Sequence, residues 1–236
     1  MSSDNFTKEN LDTYLKELAK EFRRLNGRSM PAEIVLVGGA AILTNYGFRD
    51  MTTDIDAVIH AASSMKDAIN HVGDKFYLPN GWLNADFMRT SSYSPKLDEY
   101  SVYYKTFYGI LSVRTVSAEY LIAMKLRSGR KYKNDLSDVI GILAEHQKRG
   151  TPITLDKVNT AVNNLYGSWD DFPEDSKPFI EGALKTDDLD EVYTSIKKDE
   201  TESKDILIGF EKEYPTVAKE SNIEDILKSL KEKQKK

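Results

Sequence analysis

The stretch Ile34–Ile59, IVLVGGAAILTNYGFRDMTTDIDAVI, decides how this chain is read. It opens with the apolar run Ile34-Val35-Leu36-Val37, which has the length and β-branched content of a buried strand. Gly38-Gly39 breaks that run, Ala40–Tyr46 is helix-compatible, and a polar turn returns the chain as Asp54-Ile55-Asp56-Ala57-Val58-Ile59. Residues two apart on a strand share a face, so Asp54 and Asp56 are expected to present two carboxylates side by side. At about 6 Å and an effective dielectric of about 20, such a pair repels by about 3 kcal/mol. Relief requires a proton, an arginine, a metal ion or open solvent.

Outward from this stretch, residues 5–26 carry Leu11, Tyr14, Leu15, Leu18, Ala19 and Phe22 at helical spacing, and Asn26-Gly27 ends the pattern. Ser63–Val72 reads as a further helix, and 75–87, with Pro79, Asn80 and Gly81, as a loop carrying Trp82-Leu83-Asn84. The aromatic and β-branched segments Tyr100–Tyr108 and Ile110–Val116 read as two strands around Gly109. Ser117 can cap a helix over Ala118–Arg127, and Asn134 or Asp135 starts the next. Beyond Gly150 the chain reads as helices with polar breaks near 169–177, 199–203 and 214–216. The expected organisation is one domain over 1–150 and a helical one over 151–236.

Composition removes several function classes. The chain of 236 residues has no cysteine, which rules out disulfides, thiolate metal sites and a cysteine nucleophile. The N-terminus has no signal-peptide pattern and no apolar run approaches a membrane span, so a cytoplasmic protein is expected. A net charge of −5 argues against nucleic-acid binding through overall charge, which leaves local basic surfaces such as the turn Arg127–Lys133. His71 and His146 have no partners at ligand spacing, so a zinc site is not expected.

Hard oxygen donors at the Asp54-x-Asp56 spacing suit Mg²⁺ or Mn²⁺, which complete their shells with water and substrate phosphates. A strand ending in Gly-Gly lets a ligand approach the backbone, and the N–H groups of the following helix start can receive phosphate oxygens. The plainer alternatives are a solvated strand end and a tight turn. No Gly-Lys-Ser/Thr follows the glycines, so a Walker P-loop is absent, and Gly-Gly-Ala-Ala-Ile-Leu does not fit the dinucleotide fingerprint.

Val37-Gly38-Gly39 followed by Asp54-Ile55-Asp56 resembles the signature of the nucleotidyltransferase superfamily that shares its core with DNA polymerase β. A second segment, Ser117–Leu143, is similar to the Lys-helix and Arg/Lys-x-x-Asp-x-x-Asp stretch of nucleotidyltransferases related to bacterial abortive-infection toxins. The resemblance spans residues 30–145. It implies an α/β fold, with a mixed sheet flanked by helices and an all-helical C-terminal part.

By the same resemblance, Asp54 and Asp56 hold the metal. Gly38, Gly39 and Arg49 line the nucleotide, Lys125 faces its phosphates, and Asp135 supports the site, with Asp138 beside it. Arg49 stands one residue out of place for the related Arg-x-Thr-x-Asp pattern. The superfamily adds a third acid on a neighbouring strand; Asp86, Asp98 and Glu99 are the candidates, Asp86 the first choice. The activity implied is transfer of a nucleoside monophosphate from an NTP to a hydroxyl of a tRNA end or a protein, in a toxin–antitoxin setting with a cognate antitoxin-type partner. The alternative is an inactive module that binds nucleotide or a partner, which the indistinct third acid favours.

Overall fold

The computed structural model describes residues 5–219 and 221–234. The chain forms two compact units: one holds the chain through Met124 and Val158–Ser168, the other Lys125–Lys157 and Trp169 onward.

Helix α1 (Lys8–Asn26) buries Leu11, Leu15, Leu18, Ala19 and Phe22. It begins later than the apolar spacing predicts, because Thr7 and Asn10 form a reciprocal cap: each backbone N–H is accepted by the other's side chain. Phe6 is thereby left outside the helix, where it exchanges two backbone hydrogen bonds with Thr52, at 2.7 and 2.9 Å.

Strand β1 (Ala32–Leu36) leads into α2 (Gly38–Asn45), and β2 (Ile55–His60) into α3 (Ser64–Phe76), which packs on α1. The expected loop at 75–87 contains a two-residue strand, β3 (Leu83–Asn84). β4 (Ser101–Phe107) and β5 (Leu111–Val116) form the expected hairpin, irregular at Tyr103/Lys105. The five strands make one sheet in the order β3-β2-β1-β5-β4. β1 runs antiparallel to β2 and parallel to β5, β2 parallel to β3, and β4 antiparallel to β5, so the sheet is mixed. Its central position explains why β1 is a continuous apolar run rather than an alternating one.

Helix α4 (Ala118–Ser128) is followed by α5 (Asp135–Lys148), α6 (Leu155–Tyr166), α7 (Ser176–Ala183), α8 (Leu189–Glu213) and α9 (Ile223–Gln234). The break expected at 199–203 is not there, and α8 runs straight through it. Two of the polar residues that suggested a break, Glu200 and Ser203, are buried on the side of α8 that packs against α5. Among the described residues no helix is long and apolar enough to cross a membrane.

Candidate functional site

The antiparallel register of β1 and β2 sets Leu36 opposite Ala57. One step further, the Val37 N–H donates to the Asp56 carbonyl at 3.0 Å. The end of β1 and the start of β2 therefore lie together, with Gly38-Gly39 beside the aspartates. Asp56 is half-buried within β2, and Asp54 is exposed immediately before it.

Both glycines are demanded by the geometry. Gly38 has φ +52°, a left-handed conformation that side chains disfavour. A Cβ on Gly39 would stand 2.5 Å from the Thr52 hydroxyl and 2.9 Å from an Arg49 guanidinium nitrogen. Arg49 is held over this glycine by its own Nε, which donates to the Met51 carbonyl at 3.0 Å. Thr52 in turn donates to Asp54 Oδ1 at 3.4 Å. Gly38, Gly39, Arg49, Asp54 and Asp56 thus belong to one neighbourhood within the first unit. Among the described residues no side chain caps the start of α2, which leaves the N–H groups of its first turn suited to an anion.

The third acid does not join them. Among the described residues, no group of three or more histidines and carboxylates comes together in a way that could hold a metal ion. Asp86 lies exposed in a 3-10 turn over Asp86–Arg89, where its backbone N–H donates to Asn84 Oδ1 at 2.8 Å. Asp98 meets His60 Nε2 at 2.5 Å, and Glu99 is exposed. The residue registered beside Asp56 on the neighbouring strand is Asn84, an amide where a carboxylate was expected. Two carboxylates still supply hard-oxygen donors of the kind Mg²⁺ accepts when water and phosphates fill the remaining positions.

The second unit holds the other predicted residues. Lys125 on α4 places its ammonium 2.8 Å from Asp135 Oδ1 and 2.9 Å from Asp138 Oδ2, with both aspartates buried in the first turn of α5. Arg130 reaches the second Asp135 oxygen at 2.7 Å. Burial works to raise the Asp135 pKa, but the charges and hydrogen bonds of Lys125 and Arg130 outweigh it and hold the carboxyl at about 2. The turn expected to offer a basic surface pairs three of its cations within its own unit. Besides Arg130, Arg127 pairs with Asp171 and lies over the Phe172 ring, and Lys131 pairs with Asp175.

Three residues escaped sequence reasoning. Phe6 had a legible signal in the Thr-x-x-Asn cap that excludes it from α1. Asn84 and Glu200 had none, because strand register and helix pairing place them. Glu200 Oε1 accepts from the Leu136 and Ser137 N–H groups at 2.9 and 3.2 Å, capping α5 from α8. Its Oε2 is buried without a hydrogen-bond partner among the described residues. Burial, opposed by hydrogen bonds from Ser137 and Leu136 and reinforced by the Asp138 charge, pushes the Glu200 carboxyl up to about 7.

No curated protein and no solved structure matches the chain. One family model does, over residues 13–147, and it is described as a nucleotidyltransferase of unknown function (DUF6036). The matched region contains the Gly-Gly turn, both aspartates of β2, Lys125, Asp135 and Asp138, and with more than half of the sequence inside it the chain belongs to that nucleotidyltransferase family.

Proposed function

We propose that the protein is a metal-dependent nucleotidyltransferase that moves a nucleoside monophosphate from an NTP to a hydroxyl acceptor on a tRNA end or a protein. The observation that carries this reading is the Val37–Asp56 backbone bond, which sets an uncapped helix start beside two aspartates. Asp54 and Asp56 would hold Mg²⁺ or Mn²⁺, with Asn84 adjacent. Bound there, the ion would offset the charge developing on the phosphates. The first N–H groups of α2 donate to phosphate oxygens, and Gly38 and Gly39 keep side chains out of their way. Arg49, lying over Gly39, supplies the cation nearest that turn. The acceptor oxygen bonds to the α-phosphorus as the bond to the bridging oxygen breaks, pyrophosphate leaves, and the hydroxyl proton passes to solvent.

Lys125 enters as a positioning residue: its two ion pairs hold the first turn of α5 within the second unit. The resemblance of Ser117–Leu143 to the abortive-infection branch supports a toxin–antitoxin role with a cognate antitoxin-type protein. The test is incubation with each labelled NTP, Mg²⁺ or Mn²⁺, and total RNA or lysate. Label should enter a macromolecule with the wild type and not with Asp54→Asn/Asp56→Asn; equal labelling by both removes the aspartates from the chemistry.

Asn84 beside Asp56 favours a second reading, a module that binds nucleotide or a partner without turnover. Calorimetry separates the two: NTP binding independent of Mg²⁺, together with no labelling by any NTP, selects the module.

A further inference from the structure

Within the first unit, Lys16, Lys20 and Arg23 follow one another on α1 at spacings of four and three, which places them on one face of the helix. Arg24 and Arg28 extend this basic surface across Gly27. Opposite stands the tip of the β4–β5 hairpin. Lys20, Arg23, Arg24, Gly27, Arg28 and Tyr108 together line an open groove of about 450 Å³. No carboxylate is among these lining residues. Glu21 neutralises Arg24 through a bond of 2.6 Å, and Lys20 lies 3.9 Å from Glu17; among the described residues no carboxylate pairs with Arg23 or Arg28, which give the groove its net positive charge, with Lys20 at its edge.

Tyr108 is an unusual residue for its position. Its φ is +49°, in the left-handed region, and Gly109 after it has φ +64°. Hairpin tips of this kind favour Asn, Asp or Gly at such angles. A tyrosine here bears backbone strain, and the residue remains 43% exposed. The Arg23 guanidinium donates to the Tyr108 carbonyl at 3.4 Å, which ties the tip to the basic face of α1. An aromatic ring in water beside unneutralised arginines is the arrangement that holds a single strand, with cations along the backbone and a ring under a base.

We propose that this groove between α1 and the β4–β5 tip binds single-stranded RNA, Lys20, Arg23 and Arg28 taking its phosphates and Tyr108 stacking on a base. The binding stands on the groove alone; only the further step, that the strand held here is the acceptor, rests on the nucleotidyl-transfer reading. An exposed ring among a few unpaired cations suits a strand, whose bases can stack on it, better than an anionic lipid surface, for which a broad basic face would serve.

The test uses the full chain in EDTA without nucleotide, so that binding is read apart from catalysis. The probes are a fluorescein-labelled 20-nucleotide oligouridine and vesicles of phosphatidylserine and phosphatidylcholine. Three phosphate contacts predict a slope of log affinity against log salt of about −2 for the oligonucleotide. Lys20→Gln/Arg28→Gln, which alters exposed side chains, should make that slope shallower by about 1.4. Tyr108→Asn, suited to the left-handed backbone, should weaken binding about fivefold or more without changing the slope. Oligouridine binding unaffected by either variant overturns the proposal, as does binding to the vesicles with none to oligouridine. Loss of label transfer with oligouridine binding intact would count against the transfer reading and leave the groove assigned.

Discussion

The backbone N–H of Val37 donates to the carbonyl of Asp56 at 3.0 Å, across the point where β1 ends and β2 begins. Because the two strands are antiparallel, residues 15 to 18 positions apart in sequence meet at one end of the sheet: the glycines that open α2 and the aspartates at the start of β2. A hairpin-like return of this kind converts two short sequence signals into one neighbourhood.

Gly39→Ala is expected to disturb that neighbourhood directly. The added methyl would meet Thr52 and Arg49 well inside contact distance, so the Thr52 loop or the arginine must shift. The expected outcome is a loss of nucleotide binding larger than the loss in melting temperature, read by calorimetry alongside thermal unfolding. A variant that unfolds but binds normally when folded would remove Gly39 from the site.

Asn84→Asp would add a third carboxylate beside Asp56. One more negative charge at a few ångströms should tighten Mg²⁺ binding by at least about tenfold. A magnesium titration followed by melting temperature checks this, and an unchanged midpoint would show that the β2–β3 edge does not hold the ion.

Lys125→Met removes the cation between two buried carboxylates. Asp135 keeps Arg130, so the cost should fall at the lower end of the range for breaking a buried pair, about 3 kcal/mol. Denaturant unfolding measures it. Met approximates the length of the aliphatic stem, so packing changes little and the loss reports on charge.

The second unit should respond to pH in two opposite directions. Asp135, held at about 2 against an ordinary 3.8, contributes stability that is complete above pH 4 and is lost as pH falls toward 2. Glu200 is raised from 4.5 to about 7, so the folded state keeps a proton that the unfolded chain releases. Its contribution is complete below about pH 4.5 and is lost as pH rises through 7, a swing of about 3 kcal/mol. Glu200→Gln keeps the acceptor for the Leu136 and Ser137 N–H groups and should flatten the profile between pH 5 and 8. A profile equally steep in the variant would place the titration elsewhere.

Phe6→Ala should destabilise by about 3 to 5 kcal/mol, since the ring is 2% exposed and packs against Tyr14 and Trp82. Its backbone bridge to Thr52 holds the loop that precedes Asp54. Weakened nucleotide binding is therefore expected beyond the stability change, and calorimetry on the folded variant tests it.

The sequence by itself determined the local pieces: the apolar run of β1, the Gly-Gly break, the alternating hairpin strands, the periodicity of α1 and the residue types of the paired aspartates. These depend on spacing within a few residues, which a single chain displays directly. Tertiary structure alone decided what those pieces meet. The third carboxylate could not be placed because register, not residue type, decides what stands beside Asp56, and that residue is Asn84. The break expected at 199–203 vanished because Glu200 there faces a buried helix end that needs it. The basic turn at 127–133 reads as a charged surface until the fold supplies Asp135, Asp171 and Asp175 as partners. Charge and periodicity are properties of the chain, but whether a charge faces water or a carboxylate is settled only when distant segments pack together.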